Sequence, residues 1–143
     1  MNSDLTGKEK LKEFVEKRGK ANIKFTTDDK DRIDAIVGNA TVEIKYRKGY
    51  NFNSPLIQKG GILLEKEKVD YGVRTILESG YTNSYYCSIF SDDIITFIDF
   101  VEVANNLKPL KRQLPKTSEF KNNKRVDKEV YLVPIDMVKT YKL

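Results

Sequence analysis

The 143 residues carry a net charge of +5, are 39% hydrophobic and 33% charged, and include one cysteine and no histidine. A chain of this size suits one compact domain with its own core. The lack of histidine excludes Ser-His-Asp and Cys-His catalysis and histidine-ligated zinc or nuclease sites, and no G-x-x-x-x-G-K-[ST] loop signals an NTPase.

No run approaches the ~18 apolar residues of a membrane span. The opening MNSDLTGKEKLKEF has no apolar signal-peptide core, so a cytoplasmic protein with no membrane partner is expected. Cys87, inside YYCSIF, reads as a buried small hydrophobe rather than a nucleophile. Enzyme chemistry, if present, then falls to carboxylates, lysines, arginines, tyrosines or a hard cation held by oxygen.

In chain order, Thr6-Gly7-Lys8-Glu9 fits a capping box with Thr6 as N-cap. The helix it opens runs to about Arg18 and stops at Gly19, with Leu11, Phe14, Val15 and the Arg18 stem on its apolar face and Glu9, Glu13 and Glu16 opposite. Strands are expected at 21–26, 32–37 and 41–47, then a loop over 48–61 and a short apolar run at 62–64. A second helix is expected from about Lys66 to Ser79, with Val69, Val73, Ile76 and Leu77 on one face and Gly80 ending it. A strand at 84–90 leads to a turn at 91–93. The stretch 94–103 fits a strand or a helix capped by Ser91, and the strand is preferred for 94–100. A last strand at 129–133 ends at Pro134, and the tail 135–141 reads as a short helix. The order is α-β-β-β-α-β with a β-rich extension: one domain over 1–143, its core at about 5–100 and its extension at about 105–143.

Charge is uneven. Residues 108–128 hold eight basic side chains against Glu119 and Asp127, a net of +6 that leaves −1 for the rest. A basic segment is the usual footprint of phosphate contacts; a solvated loop is the plain alternative. Lys111, Arg112, Lys116, Lys121, Lys124 and Arg125 are its candidate nucleic-acid ligands, and Thr117 and Ser118 could add hydrogen bonds. Arg47, Lys48, Tyr50 and Lys59, from the third strand and the acid-free loop after it, and Lys68, near the start of the second helix, complete that set. They suit phosphate contacts and aromatic stacking, against the plain reading of a surface loop and solvated charge.

Composition alone gives roughly three acid-x-Lys triplets, and the chain has three, so only setting can single one out. Glu43-Ile44-Lys45 has such a setting. With Gly38-Asn39 as a two-residue turn, Val37 pairs with Ala40, Ile36 with Thr41, Ala35 with Val42 and Asp34 with Glu43. Asp34 and Glu43 then face each other at roughly 5 Å, with Lys45 on the same face and Val42, Ile44 and Tyr46 on the other. Facing carboxylates repel unless a cation bridges them or one takes up a proton. Two carboxylates and the Ile44 carbonyl suit Mg²⁺ or Mn²⁺. The metal would acidify a water and offset phosphate charge, and Lys45 would position or deprotonate that water. Alternatively the face neutralises itself diagonally, Asp34 with Lys45 and Arg32 with Glu43.

An opening helix, a strand with Asp34, a strand with Glu43-Ile44-Lys45, the helix at 66–79 and the strand at 84–90 resemble the PD-(D/E)XK nuclease superfamily, with Ile33 where the motif has proline. The resemblance implies an α/β, restriction-endonuclease-like αβββαβ core: a central mixed sheet flanked by helices, here with a C-terminal β-rich basic extension. It implies Asp34 and Glu43 as metal ligands and Lys45 as the catalytic lysine of a metal-dependent DNA endonuclease hydrolysing phosphodiester bonds. Size and basic character are similar to small Holliday-junction resolvases and phage endonucleases, which implies double-stranded or branched DNA as partner and a homodimer. The alternative is an inactive nuclease-fold protein that binds nucleic acid as a phage or mobile-element accessory module.

Overall fold

The computed structural model describes residues 3–19, 22–26, 33–115 and 125–143. The expected contacts of Lys116, Thr117, Ser118, Lys121 and Lys124, and the start of the second strand at Arg32, lie outside those residues.

Helix α1 (Ser3–Arg18) opens the chain. It begins before Thr6, so Thr6 sits inside the first turns and is not the N-cap expected from the capping-box pattern. Leu11 and Val15, one turn apart, are buried, while Glu9, Glu13 and Glu16 are exposed as expected. Gly7 has a packing role: a Cβ there would come within 2.9 Å of Ile44 Cγ2. Three strands follow, β1 (Ile23–Phe25), β2 (Ala35–Val37) and β3 (Ala40–Arg47), joined as an antiparallel meander.

The stretch 48–61 is more than a loop. It contains α2 (Pro55–Gly60), which has Pro55 in its first turn and Ser54 as N-cap, accepting the Ile57 N–H. Strand β4 (Ile62–Glu65) and helix α3 (Lys66–Ser79) come next. Gly80 ends α3 in the left-handed region at φ 77°. Strand β5 (Asn83–Phe90) then pairs parallel with β3, as a connection carrying a helix allows. Strand β6 (Ile94–Asp99) forms a hairpin with β5.

The ambiguous stretch 94–103 is both things in turn. The strand stops at Asp99, whose carboxylate accepts the N–H groups of Val101 and Glu102 and so starts α4 (Phe100–Asn106). Strands β7 (Leu110–Pro115) and β8 (Arg125–Val133) pair with each other, and β8 with β4, in a three-stranded antiparallel sheet. The tail is not the short helix expected. After one 3₁₀ turn (Ile135–Met137) it forms β9 (Lys139–Lys142) along β6. The extension thus completes the main sheet, whose order is β1-β2-β3-β5-β6-β9.

The main sheet is mixed and has a core on each face. Alternate residues of β5 go to opposite sides: Cys87 and Ile89 pack with Leu11, Val15, Ala35, Val42 and Ile95 under α1, whereas Tyr86 and Phe90 join Leu64, Val69, Phe100 and Val103 under α3 and α4. Cys87 is wholly buried, and burial pushes its thiol pKa up, as suits a small hydrophobe.

Helix α3 lies close to the sheet at a polar contact. Thr41 Oγ1 meets Ser84 Oγ at 2.6 Å and Thr75 Oγ1 at 3.2 Å, and Thr75 donates to the Gly72 carbonyl. All three hydroxyl side chains are buried and satisfied. The inward face of α3 is therefore Val69, Gly72 and Thr75, and Leu77, expected on it, is 79% exposed. A Cβ on Gly72 would lie 2.3 Å from the Phe100 ring and 2.9 Å from Ser84 Oγ. Gly72→Ala is expected to lower stability by about 1–3 kcal/mol in urea unfolding, against a helix-propensity gain of about 1 kcal/mol. Leu77→Ala should shift it by under ~1 kcal/mol. A stabilised Gly72→Ala would contradict this packing.

Candidate functional site

The β2–β3 hairpin has the register the sequence implies: Val37 opposite Ala40, Ile36 opposite Thr41, Ala35 opposite Val42. Gly38, the first turn residue, sits at φ 59°, as a type II′ turn requires. The ladder ends at Ala35, and the next residue, Asp34, is held by other means. Its N–H donates to the Val42 carbonyl at 3.0 Å, and its own carbonyl accepts the Thr26 N–H at 3.1 Å and the Thr26 hydroxyl at 3.3 Å. Its carboxylate Oδ2 accepts the Ile44 N–H at 2.7 Å. A side chain thus replaces the ladder partner that β3 would otherwise have there.

That bond fixes Asp34 against the peptide joining Glu43 to Ile44. Within a strand, the N–H and C=O of one residue project to the same side. The Ile44 carbonyl therefore shares the Asp34 edge of β3. Of the expected trio, the Asp34 carboxylate is turned onto the backbone of β3 at Ile44, while the Glu43 carboxylate meets Lys68.

Glu43 is on the opposite sheet face from Val42 and Ile44, beneath α3. Its Oε1 lies 3.0 Å from Lys68 Nζ, with side-chain exposures of 20% and 34%. The Lys68 ammonium also stands 5.7 Å from the centroid of the Tyr86 ring. Burial pulls the Lys68 pKa down, but attraction to Glu43, aided by Tyr86 and Glu65, outweighs it and leaves the pKa above the usual lysine value. Lys68 is therefore an ammonium at neutral pH.

Spacing explains how the two meet. Thr75 and Lys68 are seven residues apart on one helix face, a rise of about 10 Å. Thr41 and Glu43 are two apart on one strand face, about 6.6 Å. With Thr75 locked to Thr41, the reach of a lysine and a glutamate side chain closes the remainder. The sequence places Lys68 among solvated or phosphate-binding charges; the structure places it on Glu43. Recognising Gly72 and Thr75 as the buried face of α3 is the signal that would have found this pairing.

Lys45 projects from the Glu43 face, beside Ser88 of β5. It is exposed and has no ion-pair partner among the described residues. Arg47, next on that face, turns onto the sheet: Nε donates to Ser88 Oγ and an Nη to the Tyr86 hydroxyl, both at 3.2 Å, and the guanidinium lies about 6 Å from the Tyr86 and Phe90 rings. Much of its hydrogen-bonding capacity is thus spent inside the fold.

Of the other candidate nucleic-acid ligands, Lys48, Lys59, Lys111, Arg112 and Arg125 are exposed, as is Tyr50 at 55%. Gln58, itself exposed, donates to the Phe52 carbonyl. Lys128, at the end of the basic segment, pairs with Glu65 at 2.9 Å. A groove of about 760 Å³ between α3 and β7–β8 has mixed walls among the described residues, five acids against four bases. A smaller cleft of about 160 Å³, lined by Glu43, Glu65, Glu67, Lys68 and Tyr71, adjoins the hairpin acids. Among the described residues no group of three or more His, Cys, Asp or Glu is placed to hold a metal ion; the hairpin acids are a pair supplemented by a carbonyl.

Asp34→Ala removes the acceptor of the Ile44 N–H and is expected to cost about 1–3 kcal/mol in urea unfolding, whereas Asp34→Asn keeps an acceptor oxygen and should cost less than half as much. Equal losses in the two variants would contradict the capping role of this carboxylate. No protein-family model matches the chain, and no curated protein matches it in sequence.

Proposed function

We propose that this chain is a divalent-metal-dependent DNA endonuclease with a restriction-endonuclease-like core. The supporting topology is a helix, an antiparallel three-stranded meander, and a connection through α3 to a strand parallel to β3. The observation that carries the reading is the Asp34 carboxylate held 2.7 Å from the Ile44 N–H, beside Glu43 and on the edge of the Ile44 carbonyl. A structural acid alone would suit that bond; the adjoining Glu43 and the exposed Lys45 on one rigid hairpin suit phosphodiester hydrolysis.

The donor set is all oxygen and carries two negative charges, which fits Mg²⁺ or Mn²⁺ rather than a softer metal. The Lys68 ammonium lies 3.0 Å from Glu43 Oε1, so a positive charge stands on this carboxylate. Asp34, Glu43 and the Ile44 carbonyl would hold the metal, which supplies Lewis-acid neutralisation of phosphate charge when bound. Asp34 contributes a carboxylate whose orientation is fixed before substrate arrives, which limits the reorganisation cost. Lys45 brings a cation from solvent to the same face, able to orient the attacking water or to meet the developing charge. Lys48, Lys59, Lys111, Arg112 and Arg125 are exposed cations for the DNA backbone. Branched DNA and a homodimer rest on the resemblance to small junction resolvases. No helix among the described residues is long and apolar enough to cross a membrane.

The Glu43–Lys68 ion pair favours a second reading, an inactive nuclease-fold module that binds nucleic acid with its acids neutralised internally. Cleavage separates the two. Labelled linear duplex, single strand and four-way junction are incubated with Mg²⁺ or Mn²⁺. The endonuclease reading expects metal-dependent cutting that falls about 10²-fold or more in Asp34→Ala, Glu43→Ala and Lys45→Ala, with DNA binding retained and weakened by salt. Binding without cutting in the wild type would favour the second reading, and cutting unchanged by all three substitutions would sink the first.

A further inference from the structure

Lysines near the candidate site differ in what they touch. Lys66 pairs with Asp70 along its own helix at 2.7 Å, and Lys128 pairs with Glu65. Lys68 alone among these sits on a carboxylate of the proposed metal pair. It is also the one base in a cleft whose acids are Glu43, Glu65 and Glu67. Its ammonium also stands 5.7 Å from the centroid of the Tyr86 ring, and its helix is fixed to the sheet at Thr75 and Gly72. The ammonium is therefore held in place rather than sampling solvent freely.

We infer that Lys68 is a built-in competitor for the metal: its ammonium occupies the Glu43 carboxylate until a divalent cation displaces it. The inference rests on the endonuclease reading and assigns Lys68 as a positioning residue acting through Glu43. Two charges compete for one carboxylate oxygen, and a dication on Glu43 would meet a positive charge 3.0 Å from that oxygen. Metal binding must move that charge or bear its repulsion. Removing it takes away the positive charge beside Glu43 while Glu65 keeps Lys128, so divalent affinity rises. The pairing also sets a positive charge against the half-buried Glu43 carboxylate when metal is scarce.

Calorimetric titration of Mn²⁺ alone into the full chain tests this. Wild type is compared with Lys68→Met, which keeps the apolar stem, with Lys68→Arg, which restores the charge, and with Glu43→Gln. Lys68→Gln stands in should Lys68→Met fail to fold. Lys68→Met is expected to bind Mn²⁺ roughly three- to tenfold more tightly than wild type, the scale of one partly exposed charge. Lys68→Arg should return to the wild-type value, and Glu43→Gln should weaken binding in either background. Mn²⁺ should also raise the melting temperature of Lys68→Met by more than that of wild type. A merely structural lysine predicts a less stable variant with unchanged or weaker metal affinity, and that result overturns the inference while leaving the endonuclease reading intact. Absence of Mn²⁺ binding in both wild type and Lys68→Met would remove the endonuclease reading and this inference with it.

Discussion

The close crossing of α3 over β3 and β5 decides where the charges of the candidate site stand. Gly72 lets the helix approach Phe100 and Ser84, and the Thr41–Ser84–Thr75 hydroxyls close the contact without leaving a buried polar group unpaired. A larger residue at 72 would lift the helix, and an apolar one at 75 would leave Thr41 with one partner fewer. Once that crossing is set, Lys68 two turns away reaches Glu43, and the acid pair at the hairpin's end is completed by a lysine from another element.

Electrostatics gives the arrangement its logic. Two carboxylates at the end of one hairpin repel, and the fold answers each separately. Asp34 takes a backbone N–H dipole, and Glu43 takes an ammonium. Lys45 remains exposed on the same face. Among the described basic side chains beyond the hairpin, Lys128 and Arg47 are turned to internal partners.

Local chemistry was legible in the sequence; long-range pairing was less so. The hairpin register followed from a two-residue turn and the period of two, and α3 ended at Gly80 for the ordinary left-handed reason. Apolar periodicity misassigned Leu77, because the inward face of α3 includes a glycine and a threonine whose partners lie on β3, β5 and α4. The stretch 94–103 is apolar enough for either structure, and Asp99 as a helix cap settles it. Strand β9 carries little apolar pattern and exists because β6 offers it an open edge. The hairpin that sets Asp34 against Ile44 was legible as a local motif, but Lys68 on Glu43 depends on a crossing that no local motif encodes.

The most direct measurement is anomalous diffraction from crystals of the protein equilibrated with Mn²⁺. The account expects one manganese peak within bonding distance of the Asp34 and Glu43 carboxylates and the Ile44 carbonyl, with the Lys68 ammonium drawn away from Glu43. Manganese bound elsewhere, or none while Lys68 stays on Glu43, would contradict a metal-dependent nuclease site and leave the hairpin acids a structural role alone.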